Sequence, residues 1–305
     1  MEIGMVGLGR MGGNMARRLR RAGIGVAGLN RGLEVTQSLA AETGLVATES
    51  LTQLVKQLKA PRVVWLMLPA GDTTQQTIDQ IAPLLSAGDT LVDGGNAFYK
   101  DSMARATALA QHKIHFVDAG VSGGVWGLEN GYALMVGGEP AAVKRIEPLL
   151  KTLAPSPTSG WLHCGPCGSG HFVKMVHNGI EYGMMQALAE GLALLKGRDD
   201  FAIDLAAVTE MWRHGSVVRS WLLDLTAEFL QQDQSLDSIE PFVSDSGEGR
   251  WTALEAVEQG IPAPVMSLAL MMRFASQGKN DYPAKLLAMM RKGFGGHAVR
   301  KDGAA

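Results

Sequence analysis

Short apolar runs alternate with segments of helical spacing over the first 150 residues. The runs 2–6, 25–29, 45–47, 63–68, 90–92 and 115–117 are rich in Val, Ile and Leu and are too short for helices. Between them, segments 12–22, 33–43, 51–59, 74–85 and 101–112 repeat apolar residues every three or four positions. A further strand is expected over 133–136 and a further helix over 140–153. Strands and helices in strict alternation predict an α/β domain on a doubly wound parallel sheet. The pattern breaks at 154–170, where Ala154-Pro-Ser-Pro-Thr-Ser-Gly160 is soon followed by Cys164-Gly-Pro-Cys-Gly-Ser-Gly170. Beyond the break, helical spacing dominates to the end. The expected division is therefore 1–165, an α/β domain, and 166–305, an all-α domain. No internal repeat or low-complexity tract interrupts either part.

Composition narrows the class. The 305 residues are 46% hydrophobic and 19% charged, with a net charge of -2. About two ordinary domains fit that length. The near-neutral balance gives no electrostatic case for nucleic acid. No uncharged apolar run approaches the ~18 residues of a membrane span. The chain runs from Met1 straight into Glu2-Ile-Gly-Met-Val-Gly7, without the basic and apolar regions of a signal peptide. Two cysteines are too few for a disulfide framework. A cytoplasmic location is the default expectation.

The first chemistry lies at Gly7-Leu-Gly9-Arg-Met11-Gly12, between the first strand and first helix. The first glycine allows a tight turn, the second lets backbone approach a pyrophosphate, and the third lets helix and strand pack closely. This Rossmann-type placement assigns Gly7, Gly9, Met11 and Gly12 to a dinucleotide. The second strand ends in Asn30-Arg31, where an acid would bind the adenosine ribose of NAD. Arg31 suits a 2′-phosphate, yet it can also stack on adenine, so NAD and NADP both remain open. Three further strand-end loops face the edge where open α/β sheets bind ligands: Leu68-Pro69-Ala70-Gly71, Asp93-Gly-Gly-Asn96, and Asp118-Ala-Gly-Val-Ser122-Gly123-Gly124. Leu68, Pro69, Ala70 and Asn96 are candidates for the cofactor. Asn96, Ser122, Gly123 and Gly124 are candidates for the substrate.

The segment Lys174-Met-Val-His177-Asn178-Gly-Ile-Glu181-Tyr182 adds the reacting groups. As a helix it places Lys174, His177, Asn178 and Glu181 within an arc of roughly 100°. The intervening residues are largely apolar, which predicts a buried helix, and buried ionisable groups are costly unless paired or at work. Ser169 is the expected N-cap.

These segments together resemble the 6-phosphogluconate dehydrogenases, within the β-hydroxyacid dehydrogenase superfamily. The resemblance rests on Gly7-Leu-Gly-Arg-Met-Gly-Gly-Asn14, Asp93-Gly-Gly-Asn96, Ser122-Gly-Gly124, Lys174 to Tyr182, and Ser246-Gly-Glu-Gly-Arg250-Trp-Thr252. Arg291-Lys-Gly-Phe-Gly-Gly-His297 is similar to the family's C-terminal tail. The chain's length resembles the short form, whose members often use NAD. The resemblance implies oxidative decarboxylation of 6-phosphogluconate to ribulose 5-phosphate and CO2. It implies Lys174 as base and Glu181 as acid. The same chemistry follows from the residues: Phe172 and Met175 would desolvate Lys174 and lower its pKa, and Glu181 lies two turns along the same face. The family places His177 and Asn178 on the substrate. Tyr182 stands off the face, and either reaches the phosphate, as the family implies, or packs. Arg250, Arg273, Arg291 and His297 are the phosphate candidates, although long-form members typically carry Lys at the position of Arg250. The tail implies a homodimer with shared active sites.

Cys164-Gly-Pro-Cys167 matches a thioredoxin-type redox motif, and with His163 and His171 it invites a metal reading. Its place after a complete nucleotide-binding pattern favours a Gly-Pro turn into the catalytic helix, with no metal. His171 lies one turn before Lys174 and can line the site. The stretch 266–272, rich in Met, reads as core. A 3-hydroxyisobutyrate-type dehydrogenase would share the glycine turn, Ser-Gly-Gly and the lysine, but not His-Asn-Gly-Ile-Glu-Tyr. Lys174 argues against an imine reductase, and Lys174 with Glu181 argues against a silent NAD(P)-binding regulator.

Overall fold

The computed structural model describes residues 1–295. The chain divides into two compact units, Met1–Val176 and His177 onward, and the boundary falls inside one long helix.

The first unit contains the strands β1 (Glu2–Val6), β2 (Gly25–Leu29), β3 (Val46–Ala47), β4 (Val63–Leu66), β5 (Thr90–Asp93), β6 (His115–Ser122), β7 (Ala133–Gly138) and β8 (Trp161–Gly165). They form one eight-stranded sheet in the order β3-β2-β1-β4-β5-β6-β7-β8. Its helices are α1 (Arg10–Arg21), α2 (Leu33–Thr43), α3 (Leu51–Lys56), α4 (Asp72–Ile81), α5 (Tyr99–Ala110), α6 (Gly127–Asn130) and α7 (Pro140–Leu153). The strands read as unbroken apolar runs because both sheet faces are covered. Ile3, Met5, Trp65, Val92 and Val117 join one core cluster with Met15 and Leu19 of α1 and Ile146, Leu149 and Leu150 of α7. Val6, Val64, Leu66, Leu91 and Phe116 point the other way, against Leu54, Ile78, Ile81 and Leu109. Arg18 ties α1 to the end of α7, donating to the carbonyls of Thr152 at 2.8 Å and Ala154 at 2.7 Å. Those are the carbonyls a helix terminus leaves without partners.

Three expectations need correction. The sheet is parallel from β3 to β6, but β6 and β7 pair antiparallel, with Gly120 opposite Met135. The Asp118–Ser122 stretch read as a loop is the second half of β6. The break at 154–170 conceals β8, an edge strand parallel to β7. Pro and Gly at both ends of Trp161–Gly165 hide so short a strand from periodicity, and an edge strand is where such residues are tolerated.

The second unit is helical among the described residues. It contains most of α8 (Ser169–Lys196), then α9 (Leu205–Trp212), α10 (Trp221–Gln232), α11 (Glu248–Gln259), α12 (Pro264–Phe274) and α13 (Asp281–Gly295). Leu192, Leu205 and Leu230 form its core cluster. Contrary to the expectation for a helix apolar nearly all round, α8 exposes a stripe of Val173, Ile180 and Met184. The Met-rich helix α12 buries Leu270 but exposes Met271 and Met272.

Candidate active site

In the first unit the strand order reverses between β1 and β4, and the crevice at such a switch point is where open sheets bind nucleotides. The glycine turn lies there for steric reasons. Gly7 has φ +91, and a Cβ on it would strike the carbonyl of Met67 at the end of β4. A Cβ on Gly12 would strike the carbonyl of Gly7, whereas Gly9 has open space around it. The turn is therefore compressed on the protein side and open on the other, and α1 begins at Arg10 with no side-chain cap. Free amides at that helix start fit a pyrophosphate.

Asn30 is engaged in the turn itself, its Oδ1 accepting from the Leu8 amide at 3.1 Å. Arg31 is exposed. Three positions beyond the Asn30-Arg31 pair, Glu34 lies over Gly32, where a Cβ would meet its carboxylate. An acid therefore stands near the β2 end, displaced along the chain from the position where the sequence pattern seeks it. Leu68, Pro69 and Ala70 follow β4, and the Pro69 carbonyl accepts from Thr74 Oγ1 at 2.8 Å. After β5, the Gly95 amide donates to Asp93 Oδ1 at 3.0 Å, and the other Asp93 oxygen takes Arg105 Nη1 at 3.0 Å. This buried pair holds the loop that presents Asn96, which is exposed. Ser122 ends β6 and leads into Gly123, which lies against the buried ring of Tyr132, and then Gly124, which has open space around it.

The start of α8 is fixed from β6. Asp118, fully buried, accepts from the amides of Gly168 at 2.7 Å and His171 at 2.8 Å. It replaces Ser169 as the cap, since Ser169 Oγ has no hydrogen-bond partner. A carboxylate at a helix N-terminus satisfies the orphan amides and the dipole together. Two residues along β6, Gly120 receives the stem of Lys174, whose Cγ lies 2.9 Å from where a Cβ would stand. Lys174 is 8% exposed. His171 is buried, its Nδ1 2.7 Å from Ser102 Oγ of α5 and its Nε2 without a partner.

In the second unit, α8 continues unbroken, so His177, Asn178 and Glu181 keep the helical spacing expected of them. His177 Nδ1 lies 3.2 Å from Asn178 Oδ1 and 3.8 Å from Glu181 Oε2. Tyr182 is buried and donates its hydroxyl to Glu248 at 3.1 Å, with Ser246 Oγ donating to the same carboxylate oxygen at 2.7 Å. Burial raises the Tyr182 pKa. The Arg273 guanidinium lies over the Tyr182 ring, 3.5 Å from its centroid, and donates to the Ser244 carbonyl at 2.8 Å. Arg250 is ion-paired with Asp245 and stacks on Phe274. Tyr182, Arg273 and the loop 244–248 thus form one constellation. Arg291 is exposed on α13, and His297 lies outside the described residues. Sequence reasoning passed over Asp118 as a loop residue and gave Glu248 and Gly120 no role. Only their tertiary neighbours reveal them.

The cysteines do not form a low-pKa pair. Cys164 lies in β8 and Cys167 donates to the Ser102 carbonyl at 3.5 Å. Burial pushes both thiols up, Cys167 strongly, the reverse of a reactive thiolate. Among the described residues no three His, Cys, Asp or Glu side chains gather as metal ligands would, and no helix is long and apolar enough to cross a membrane.

Residues 2–165 match the family described as the NAD binding domain of 6-phosphogluconate dehydrogenase, and residues 170–289 match the 6-phosphogluconate dehydrogenase C-terminal domain. A Haloferax volcanii relative named NAD(+)-dependent, decarboxylating 6-phosphogluconate dehydrogenase is 40% identical over 99% of this chain and its own full length. A solved Plasmodium falciparum 6-phosphogluconate dehydrogenase, described with NADP+ and with 6-phosphogluconate, matches with TM-score 0.84 and 30% identity, over 100% of this chain and 67% of its own. A 3-hydroxyisobutyrate dehydrogenase from Salmonella typhimurium shares the fold at TM-score 0.75 and 24% identity, over 92% of this chain and 95% of its own.

Proposed function

The chain belongs to the 6-phosphogluconate dehydrogenase family, and on that premise we propose that it oxidatively decarboxylates 6-phosphogluconate to ribulose 5-phosphate and CO2 with NAD or NADP. The observation that carries this reading is Lys174, a buried lysine whose stem rests on Gly120 of β6, two residues before the Ser122-Gly123-Gly124 edge. A buried ammonium costs free energy, and a lysine buried beside such an edge supports a working role.

Gly7, Gly9, Met11 and Gly12 would hold the pyrophosphate, Asn30 and Arg31 the adenosine end, and Leu68, Pro69, Ala70 and Asn96 the nicotinamide side. When bound, the dinucleotide supplies the hydride acceptor. Lys174 takes the proton of the substrate 3-hydroxyl. As an ammonium it then donates to the 3-keto oxygen and stabilises the negative charge that develops there as CO2 departs. Glu181 protonates C1 of the enediol. Ser122, Gly123, Gly124, Asn96, His177 and Asn178 orient the carboxylate and hydroxyls. Arg250, Arg273, Arg291 and His297 serve the phosphate, with Tyr182 backing Arg273.

Residues 1–165 act as the dinucleotide-binding domain, and 166–305 as the helical substrate-binding and dimerisation domain. The protein is a homodimer in which the neighbouring tail brings Arg291 and His297. The exposed apolar positions Ile180, Met184, Val257 and Val265 support an interface. A cytoplasmic role in gluconate use and the pentose phosphate pathway accords with the substrate.

The test is 6-phosphogluconate with each cofactor, following reduced nicotinamide and CO2 together. Stoichiometric CO2 is expected, and Lys174→Ala abolishes turnover while cofactor affinity stays nearly intact. Reduction without CO2 would point to a 3-hydroxyisobutyrate-type reaction, and nucleotide binding without turnover to a regulator. Light scattering that gives a monomer mass would refute the dimer.

A further inference from the structure

His171 is the one buried histidine whose second nitrogen the fold leaves without a partner, among the described residues. It is held at three points. Its backbone amide donates to Asp118 at 2.8 Å, its Nδ1 lies 2.7 Å from Ser102 Oγ, and it occupies the first turn of α8. Ser102 Oγ has its own acceptor, the carbonyl of Phe98, the N-cap residue of α5, at 3.5 Å. With the serine hydrogen directed there, Ser102 accepts from Nδ1–H. In the neutral ring this tautomer leaves Nε2 as the nitrogen with the buried lone pair. An unmet buried acceptor is destabilising, so a fold that keeps one gains by meeting it in its working state.

One turn along the helix is Lys174. Helical side chains lean toward the N-terminus, onto the turn three and four residues back. The packing agrees, because the Lys174 stem and the Gly170 carbonyl meet the same point of β6, at Gly120. Cβ atoms three apart on a helix are about 5–6 Å from one another, within reach of a lysine amine and an imidazole. Apart from Ser169 Oγ, which also lacks a partner, the acids and the thiol near this turn are committed. Asp118 bonds the helix amides, Asp93 bonds Arg105, and the Cys167 thiol bonds the Ser102 carbonyl.

We propose that His171 is the positioning residue for the Lys174 amine. Its Nε2 accepts a hydrogen from the amine and turns the nitrogen lone pair toward the substrate hydroxyl, with Ser102 fixing the tautomer that makes this possible. The inference rests on the reading of Lys174 as the base. No proton leaves Lys174 for His171, and the imidazole stays neutral.

Two substitutions separate this role from a structural one. His171→Gln returns an acceptor near the Nε2 position, and His171→Asn returns a polar group near Nδ1 only. With 6-phosphogluconate and NAD or NADP as probes, His171→Gln retains kcat within about tenfold, and His171→Asn loses about a hundredfold, both with KM changed less than about threefold. Ser102→Ala lowers kcat about tenfold at unchanged KM, because the imidazole is freed to take the other tautomer. If His171→Asn is as active as His171→Gln, the histidine serves only to tether α8 to α5 and the proposal is wrong. Natural kcat in Ser102→Ala also overturns it. If the natural protein does not turn over 6-phosphogluconate, or Lys174→Ala stays active, the reading of the reaction fails and takes this proposal with it. With those controls intact, a wrong ranking removes this proposal alone.

Discussion

Gly120→Ala tests whether tertiary packing places the lysine. The added Cβ would stand 2.9 Å from Lys174 Cγ, nearer still to Lys174 Cβ, and 3.1 Å from the Gly170 carbonyl oxygen. Ordinary carbon contacts run at about 3.5–4.0 Å, so the start of α8 would have to withdraw by about 1 Å. It is poorly free to do so. Asp118 bonds the Gly168 and His171 amides, and Gly120 is paired with Met135 in the ladder. Overpacking of this kind costs about 1–3 kcal/mol of stability. Its effect on turnover is larger in proportion, since a 1 Å misplacement of a reacting group costs about a hundredfold, close to 2.7 kcal/mol of barrier. The assay is kcat and KM for 6-phosphogluconate with each cofactor, beside a thermal melt and a cofactor titration. We expect kcat down about a hundredfold and Tm lowered, with cofactor Kd within about twofold because β1, α1 and β4 build that turn independently. A variant with lowered Tm but kcat within about threefold of the natural protein would refute the idea that Gly120 sets the position of Lys174.

Other predictions follow from single contacts. Tyr132→Phe removes a hydroxyl that is buried without a partner and whose pKa is pushed up to about 12 by burial, and should leave Tm equal or higher. A fall of several degrees would show that the hydroxyl is satisfied. Glu34→Gln should raise kcat/KM for NADP relative to NAD roughly fivefold, since it removes a negative charge near the expected 2′-phosphate. An unchanged ratio would place the carboxylate out of range. Lys144 first, then Lys151, lowers the Glu147 pKa from 4.5 to about 2. This depressed carboxylate contributes stability above pH 4.5 that is lost as pH falls toward 2. Its NMR titration midpoint should move upward in about 1 M salt, because its partners Lys144 and Lys151 are exposed and salt screens the pairs. A midpoint near 4.5 at low salt would contradict the pairing.

Much of the first unit was legible because its rules are local. Strand periodicity located β1 and β2 to the residue, and the glycine turn signalled its own geometry at Gly7 and Gly12. The continuous helix 169–196 preserves the spacing of Lys174, His177, Asn178 and Glu181 that its pattern implied. What local rules cannot carry is partnership between distant segments. Nothing near Asp118 in the chain reveals that it caps a helix starting at Ser169, because the bond depends on β6 running beneath that helix. Nothing at Tyr182 announces Glu248, a buried carboxylate sixty-six residues on. The edge strand β8 escaped for a related reason, since it is a strand only because β7 lies beside it. The sequence by itself determined which chemistry is available: a dinucleotide turn and a lysine-to-glutamate helix face. The tertiary structure decided which of those groups are held and by what, because burial, helix capping and close approach are properties of pairs that the linear order of residues leaves unstated.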